Sequence, residues 1–457
     1  MQIQIAGRMM EMSRVSVDFA KKQGPVKPMH AVNNGPITAG CEQHRANFDA
    51  YKAAGFPYAR NHDASFCADY GGEHTVDVHA IFPDFSADPY DPASYDFVCT
   101  DHYLRSILAA GTQIYYRLGT KIEHGVKKYG TLVPPDFHKW AVICEHIIRH
   151  YNEGWADGFW WDIRYWEIWN EPDGIAADGS KPNWAGTPEE FYELYSVAAR
   201  HLKTCFPEIY VGGPATCGFA EKWMTDMLRY LKKDGTPAPL DFFSFHWYGQ
   251  YPGNVPEHSQ SIRAVLDREG YAHTRIHLNE WNYIEGWTDQ FVPSIEAIIS
   301  MRGAAFTASV MCEGQKSPVD MLMYYDARPS AFNGMFDFYT LRPLKGYYPF
   351  VMFSKLYALG TEANGISDDE NIRVLAATDG KRHAAMIACY SMDKNRTGSA
   401  LKLDLQGMGE GRNGEGRKRY YLLDDHNTMA EYALPENGEV YLRSESVLLV
   451  TDYDIYD

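Results

Sequence analysis

The feature that most constrains this chain is an alternation between about residue 26 and residue 350. Short apolar runs are followed there by longer segments with helical periodicity. Eight runs have the length and composition of strands: Lys27–Asn33, Tyr58–His62, Gln113–Leu118, Arg164–Trp169, Ile209–Gly213, Phe242–His246, Arg275–Asn279 and Met321–Tyr325. Eight strand–helix repeats in about 320 residues match the size of a (β/α)8 TIM barrel with long loops. An α/β barrel is therefore the predicted fold class.

The rest of the chain has a different texture. Amphipathic segments predict helices of the outer ring at His138–Tyr151, Pro188–Cys205 and Glu221–Leu231. After Gly360 the pattern changes to alternating strands separated by turn residues, which predicts a small β-sandwich. Arg14–Phe19 also alternates, and we expect it to add a strand to that sandwich. The predicted units are an N-terminal segment (1–25), a catalytic barrel (26–360) and a β-sandwich domain (361–457).

Charge and composition exclude several classes of partner. The net charge of −17 argues against nucleic acid, whose binding depends on concentrated Lys and Arg, and favours a neutral ligand. No run approaches the 18 apolar residues of a membrane span, and the first residues lack the apolar core of a secretion signal. Eight scattered cysteines without a C-x-x-C pair predict reduced thiols and a cytoplasmic location. The 17 His show no metal-binding spacing, so no cofactor is expected.

The most informative motif is RYWEIWNEPDG, in which an aromatic strand ends at Asn170, Glu171 and Pro172. A carboxylate there stands at the carboxyl end of a barrel strand, where barrel enzymes do their chemistry. Pro172 has no N–H to donate, so the strand must stop, and it favours an extended backbone at Glu171. A solvated strand-end glutamate is the plain alternative, but the surrounding aromatic residues argue against it.

A second motif, RIHLNEWNY, places Glu280 at the end of another apolar strand, three strands after Glu171. The fourth and seventh strands of an eight-stranded barrel lie across the mouth from each other, so the two carboxylates can face one substrate. Glycosidic bond cleavage needs such a pair, one protonated to assist the leaving oxygen and one ionised at the anomeric carbon. The joint pattern therefore predicts a glycosidase.

Two further strand ends carry polar side chains. The segment DFFSFHWYG places His246 and Tyr248 on one side of a strand between the two acidic strands. The segment YARNHDASF ends the second strand with Arg60 and His62. A strand histidine more often packs in a core, but this context favours the pocket. An arginine beside a carboxylate keeps it ionised, which is the state a nucleophile needs.

Together these residues resemble clan A glycoside hydrolases, most closely family 39, which contains β-xylosidases and α-L-iduronidases. The similarity includes the NEP strand, the HLNEW strand and VGGPATCGFAEKWMTDML between them. It extends from about His30 to Gly360, with a family-like sandwich after it. The resemblance implies a retaining exo-glycosidase acting on short plant-polysaccharide oligosaccharides, foremost a β-xylosidase, and leaves a homo-oligomer possible.

The resemblance also implies roles for individual residues. Glu171 is the expected acid/base and Glu280 the expected nucleophile. Asn170 would bind the hydroxyl beside the anomeric carbon, and Arg60 and Tyr248 would hold the nucleophile. The remaining substrate-binding candidates are His62, His246, Tyr325 as a sugar platform, and Trp281.

One departure keeps the sugar open. The eighth strand reads MYYDARPSAFNGMFD and lacks the acidic pair that follows the aromatic residue in the family's β-xylosidases. An α-L-arabinofuranoside is an alternative, and so is an iduronide paired with Arg328 or Lys121.

An endo-glycanase would need a groove lined by exposed tryptophans, and Trp184, Trp247, Trp281 and Trp287 fit either interpretation. A carbohydrate-binding protein without catalysis would tolerate loss of a carboxylate, whereas both are present. Long loops at His62–Tyr90 and Gly119–Pro135 favour a closed pocket and hence exo action.

Overall fold

The computed structural model describes residues 2–5, 8–37, 46–63, 74–409, 417–434 and 438–456. In chain order its strands are β1 (Gln2–Ile5), β2 (Arg8–Pro25), β3 (Ala31–Asn33), β4 (Tyr58–Arg60), β5 (Gln113–Leu118), β6 (Tyr165–Ile168), β7 (Tyr210–Thr216), β8 (Phe242–Gly249), β9 (Arg275–Tyr283), β10 (Met321–Tyr324), β11 (Thr361–Ser367), β12 (Ile372–Thr378), β13 (His383–Cys389), β14 (Gly398–Gln406), β15 (Arg419–Leu423), β16 (Thr428–Glu431), β17 (Glu439–Arg443) and β18 (Ser446–Thr451).

The helices over the same residues are α1 (Phe48–Ala54), α2 (Val78–Ile81), α3 (Val98–Ala109), α4 (Phe137–Glu153), α5 (Pro188–Cys205), α6 (Glu221–Tyr230), α7 (Asn254–Arg268), α8 (Phe291–Ile298), α9 (Met301–Gln315) and α10 (Tyr348–Leu359), with 3₁₀ turns at Pro92–Ser94 and Lys345–Tyr347. The start of α5 shows why the helices begin where they do. Thr187 accepts from the backbone of Glu190, whose side chain accepts from the backbone of Thr187. This capping box satisfies two donors that a helix start leaves unpaired.

Strands β3 to β10 pair in parallel in chain order, and β10 closes on β3. The predicted (β/α)8 barrel is confirmed, and each predicted strand overlaps an observed one. The first strand is shorter than predicted because the Lys27 N–H bonds the Gln315 side chain, and Pro28 has no N–H. Strand β9 is longer and includes Glu280, because β8 runs beside it as far as Gly249.

Aromatic side chains close the amino-terminal end of the barrel. Tyr115 and Tyr165 stack with ring centroids 5.4 Å apart, and Phe242 stacks on His277 at 4.7 Å. All four side chains are buried and come from near the starts of their strands. The barrel interior is therefore packed at this end, and the polar side chains of the strands gather at the opposite, carboxyl end.

The second unit is a ten-stranded, mostly antiparallel sheet that continues after the barrel. Strand β2, which precedes the barrel in the sequence, also belongs to this sheet and pairs antiparallel with β11 and parallel with β14. Alternate residues face two cores: Val374 packs inside the curled sheet, and Leu375 packs on the side of the barrel helices. The predicted barrel with a carboxyl-terminal β-sandwich is thus the observed fold class, while the division at residues 25 and 360 stays a prediction.

Two sequence-level expectations concern membranes and cysteines. Within the described ranges, no helix alone has the length and apolar character to cross a membrane. The pair α8 and α9, bent by 78° between them, meets the same length and composition criteria together. Six of the eight cysteines lie in the described ranges, and Cys144, Cys205, Cys217, Cys312 and Cys389 among them are free thiols. The remaining two, Cys41 and Cys67, lie outside the described residues.

Candidate active site

The two candidate carboxylates meet at the carboxyl end of the barrel. Glu171 follows β6 and Glu280 lies in β9, the fourth and seventh barrel strands. Their side chains are 17% and 10% exposed. One oxygen of each carboxylate and a ring nitrogen of His246 all lie within 4.8 Å of one another. These three side chains therefore share one small, mostly buried space.

The backbone that carries Glu171 differs from the expectation. Pro172 predicts an extended residue before it, but Glu171 has a φ of 47° and Trp169 a φ of 78°. Neighbouring strands impose these left-handed conformations. The Glu171 N–H bonds the Ala215 carbonyl of β7, and the Trp169 N–H bonds the Leu118 carbonyl of β5. Such residues cost about 1–3 kcal/mol each and cluster at functional sites.

Glu171 is held by two nitrogen atoms. His246 Nδ1 lies 2.7 Å from Glu171 Oε1, and the Asn183 amide donates to Oε2 at 2.9 Å. Burial raises the pKa of Glu171 to about 7, against the opposing charge of Arg60. Burial also lowers the pKa of His246 to about 4, so this ring is neutral near pH 7. The result is a carboxyl group that can hold a proton near neutrality.

Glu280 is held by a different set of donors. The Tyr248 hydroxyl donates to Oε1 at 2.6 Å, and Arg60 Nη1 donates to Oε2 at 3.3 Å. The second ring nitrogen of His246 lies 3.5 Å from the same Oε2. Burial raises the pKa of Glu280, while His246, Arg60 and Tyr248 act in the opposite direction. A guanidinium and a hydroxyl in direct contact favour the ionised carboxylate.

Arg60 also connects this pair to a deeper polar network. Its guanidinium donates to Asn170 Oδ1 at 2.6 Å and to Glu167 Oε2 at 2.7 Å. Glu167 is fully buried in β6 and also accepts from the Ser244 hydroxyl at 2.6 Å. Sequence reasoning missed Glu167, although a glutamate inside the apolar run YWEI is the signal that marks it. Buried ion pairs of this kind fix the orientation of the side chains that they hold.

A second corner of the mouth contains the other predicted sugar contacts. The rings of His62 and Tyr325 lie 6.2 Å apart, edge to face. The Tyr325 hydroxyl donates to Asp63 Oδ2, and Arg328 donates to the Asp63 carbonyl at 2.9 Å. Asp63 was not among the predicted site residues. Phe332 connects this corner to the Glu280 side, with ring distances of 5.7 Å to Tyr325 and 6.1 Å to Tyr248.

Trp281 is not brought to the mouth with the other predicted residues. Its buried ring packs against Tyr324 at 5.2 Å and Phe306 of α9 at 6.3 Å, between the barrel wall and the helices. Consecutive strand residues face opposite sides, so Glu280 and Trp281 cannot both point inward. Trp184 and Trp247 are also buried, whereas Trp287 is 58% exposed. The Trp287 ring stands 5.2 Å from that of Tyr248.

Three groups among the described residues have metal-ligand spacing: His74 with Asp77 and His79, Glu145 with His201 and Cys205, and Glu171 with His246 and Glu280. In each group one carboxylate already accepts from an arginine, namely Arg117 at 2.6 Å, Arg149 at 2.8 Å and Arg60 at 3.3 Å. A guanidinium so close uses the carboxylate's acceptor sites and repels a cation. These groups therefore fit a metal ion poorly.

Comparison with known proteins gives a family match. A family model described as glycosyl hydrolases family 39 matches residues 15–392. A β-xylosidase from Geobacillus stearothermophilus is 26% identical over 349 residues, which cover 67% of this chain and 63% of that protein. The chain thus spans less than two thirds of the length of the curated relatives that it matches.

Solved structures match over nearly the whole chain. A glucosidase from Croceicoccus marinus has a TM-score of 0.77 and 23% identity, covering 96% of this chain and 98% of that one. A monomeric β-xylosidase from Caulobacter crescentus has a TM-score of 0.68 and 18% identity, covering 96% and 98%. At these identities the likeness supports the arrangement of barrel and sheet.

Proposed function

The chain belongs to glycosyl hydrolases family 39, and from that premise we propose that it is a retaining exo-glycosidase, acting as a β-xylosidase on short plant-polysaccharide oligosaccharides. The observation that carries the proposal is the geometry of Glu171 and Glu280, whose nearest oxygens lie within 4.8 Å. Retaining enzymes hold their carboxyl groups about 5–5.5 Å apart, whereas inverting enzymes need about 6.5–9.5 Å to admit a water. The short separation supports double displacement.

In the first step Glu171 donates its proton to the glycosidic oxygen while Glu280 attacks the anomeric carbon. The bond to the leaving group breaks, the alcohol departs, and the sugar becomes an ester of Glu280. In the second step Glu171 accepts a proton from a water molecule, which attacks the same carbon and releases Glu280 as a carboxylate. The proton and both carboxyl groups return to their starting states, so the cycle balances.

His246 suits both steps because it contacts both carboxyl groups. When Glu171 is protonated, its O–H donates to Nδ1 at 2.7 Å, and the proton of the neutral ring then sits on Nε2, which lies 3.5 Å from Glu280. Forming the ester removes the charge of Glu280. The pKa of Glu171 then falls because the ionised form no longer faces a second negative charge, so the acid becomes a base.

Asn170 and Arg60 position the reacting groups. Because the Asn170 Oδ1 accepts from Arg60, its Nδ2 is the atom that can donate to the hydroxyl beside the anomeric carbon. Arg60 also reaches Glu280, so one guanidinium fixes the nucleophile relative to that donor. Glu167 beneath Arg60 balances its charge within the buried network.

The loops around the site support exo action. The loop at 119–135 is built around Glu123, which accepts from the backbone N–H groups of Tyr129, Gly130 and Thr131. Thr131 in turn accepts from the Ala185 N–H, which ties this loop to the one after Glu171. Of the four tryptophans that a groove would use, Trp287 is the exposed one. A pocket rather than a groove is favoured.

A panel of nitrophenyl glycosides tests this function, with β-D-xyloside, α-L-arabinofuranoside, β-D-galactoside, β-D-glucoside and α-L-iduronide compared side by side. We expect β-D-xyloside to have the highest kcat/KM, and proton NMR to show β-xylose as the first product. A first product of α configuration contradicts the two roles of the carboxylates. If another glycoside has the highest kcat/KM, the xylosidase assignment is wrong. The configuration of the first product in the NMR spectrum then still tests the retaining mechanism.

A further inference from the structure

Asp63 has the features of a substrate-binding carboxylate. It directly follows His62 in the loop after β4, the second barrel strand, and its side chain is 6% exposed. Its Oδ2 accepts from the Tyr325 hydroxyl, and its backbone N–H donates to the Asn34 side chain at 3.0 Å. The Tyr325 bond therefore holds the carboxylate beside the predicted sugar platform, and the Asn34 bond holds the backbone that carries it.

The other oxygen of Asp63 lacks a hydrogen bond. Among the described residues, Asp63 Oδ1 is buried without a partner. The nearest basic nitrogens, Lys121 Nζ at 3.8 Å and His62 Nε2 at 3.9 Å, lie beyond hydrogen-bond distance. A buried carboxylate oxygen left unpaired costs free energy, and acceptors that are kept open in this way are expected where a ligand completes them.

Neighbouring charges keep this acceptor ionised. Burial alone would raise the pKa of Asp63, but the nearby His62, Arg328 and Lys121 hold it below its ordinary range. The charges of the corner are also balanced. Arg328 and Lys121 lie within 4.0 Å of Asp63, and Arg328 lies 3.5 Å from Asp326. A uronate would therefore meet two cations that two carboxylates already neutralise.

Asp326 is the nearest competing acceptor, but its oxygens already have partners. The Asn34 amide donates to Oδ2 at 2.9 Å, and the Ser330 hydroxyl donates to Oδ1 at 2.8 Å. Asp326 is also completely buried behind Tyr325. Of the two carboxylates that flank the tyrosine, Asp63 is therefore the one with an oxygen left for a substrate.

We propose that Asp63 determines glycone specificity, with its Oδ1 accepting a hydrogen bond from a secondary hydroxyl of the terminal, uncharged sugar. Ring contacts link Asp63 to the Glu280 side of the same pocket: Tyr325 touches Phe332, Phe332 touches Tyr248, and Tyr248 bonds Glu280. This inference rests on the proposed function, because it assigns one contact within the same pocket.

The test is a double-mutant cycle between enzyme and substrate. We compare kcat/KM of wild type, Asp63→Ala and Asp63→Asn on 4-nitrophenyl β-D-xyloside and on its 3-deoxy and 4-deoxy analogues. Removing either partner of a hydrogen bond to a charged group is expected to lower kcat/KM about 10- to 100-fold. One of the two deoxy analogues lacks the hydroxyl that Asp63 bonds, so wild type should already have a lower kcat/KM on it. On that analogue the Asp63 variants should be nearly as active as wild type, because the contact is absent from both enzymes.

A matched control is Asp173→Ala, which removes a carboxylate near Glu171 whose Oδ1 accepts from the Cys217 N–H at 3.0 Å. For this variant, each deoxy analogue should lower kcat/KM relative to the parent xyloside by the same factor as it does for wild type. Asp63→Asn keeps the size of the side chain, so it covers the case in which Asp63→Ala fails to fold. If the loss of kcat/KM from the Asp63 substitution and the loss from the deoxy position multiply for both analogues, this inference is wrong while the proposed function stands. Absence of hydrolysis of every glycoside in the panel by wild type contradicts the proposed function, and this inference with it.

Discussion

The Glu171 side and the Glu280 side of the barrel mouth carry the same side chain with similar burial, but different donors reach them. An imidazole and an amide hold Glu171, and burial raises its pKa to about 7. A hydroxyl and a guanidinium hold Glu280. The guanidinium stabilises a negative charge on Glu280 by direct contact, whereas the neutral imidazole can accept a hydrogen bond from the protonated carboxyl group of Glu171. In the proposed mechanism, these different neighbours are what make one glutamate the acid and the other the nucleophile.

The largest expected effect comes from breaking the Glu280 side. Glu280→Gly removes the group that forms the ester, so kcat/KM on dinitrophenyl β-D-xyloside should fall on the order of 10⁴-fold or more. Azide fits the vacated space and attacks the face that Glu280 used. It should restore turnover and give the α-xylosyl azide, identified by NMR. Chloride at equal ionic strength is the control. Rescue that yields the β-azide instead would reverse the two assignments.

Breaking the Glu171 side should have a smaller effect that depends on the leaving group. Glu171→Ala removes the proton donor, so alkyl xylosides should lose about 10²- to 10⁴-fold in kcat/KM. Dinitrophenyl xylosides should retain rapid ester formation because their leaving group needs no proton. With azide this variant should release the β-azide. The exposed Glu189→Ala variant on α5 is the control, and an equal loss for all leaving groups argues against an acid role.

Tyr248 tests the donors of the nucleophile. Tyr248→Phe removes a hydroxyl 2.6 Å from Glu280 Oε1, and kcat/KM should fall about 10- to 100-fold. The lost donor favoured the ionised form, so the pKa of Glu280 rises and the acidic limb of the pH profile moves to higher pH. Tyr325→Phe is the matched control because its hydroxyl serves Asp63. An acidic limb that moves equally in both variants contradicts this role of Tyr248.

The strand pattern was enough to predict the barrel and most of the mouth. In a parallel barrel all carboxyl ends of the strands meet at one rim, so polar residues that end separate strands must converge. Arg60, Glu171, His246 and Glu280 are each found this way. Trp281 is the exception, since period-two alternation from Glu280 directs it toward the helices, and that rule was available from the sequence.

Other features depend on tertiary contacts that a strand pattern does not contain. The local effect of Pro172 predicts an extended Glu171, but hydrogen bonds from the neighbouring strands impose a positive φ. Asp63 looks like an ordinary loop residue until Tyr325, which follows β10 about 260 residues later in the chain, donates to it. The partners of each carboxylate, and hence its proton affinity, come from several strands at once and follow from the assembled fold.

The smallest expected effect sharpens the comparison from the acid side. Glu171 must be protonated for the first step and has a pKa of about 7, so kcat/KM of wild type should fall as pH rises through about 7. The Asn183 amide donates to Oε2 at 2.9 Å and stabilises the ionised form. Asn183→Ala should therefore raise the pKa of Glu171 and move the alkaline limb to higher pH.

The shift in Asn183→Ala should reach at most about one unit, because water can replace part of the lost hydrogen bond at a partly exposed carboxyl. The acidic limb should stay in place, since it follows Glu280 and its own donors. Asn152→Ala, in which the lost amide bonds the Ile163 carbonyl beside α4, is the matched control and should move neither limb. Tyr248→Phe should move only the acidic limb and Asn183→Ala only the alkaline limb, so the two variants distinguish the two carboxyl groups. Limbs that shift together in either variant would mean that the carboxyl groups titrate as one unit rather than in separate roles.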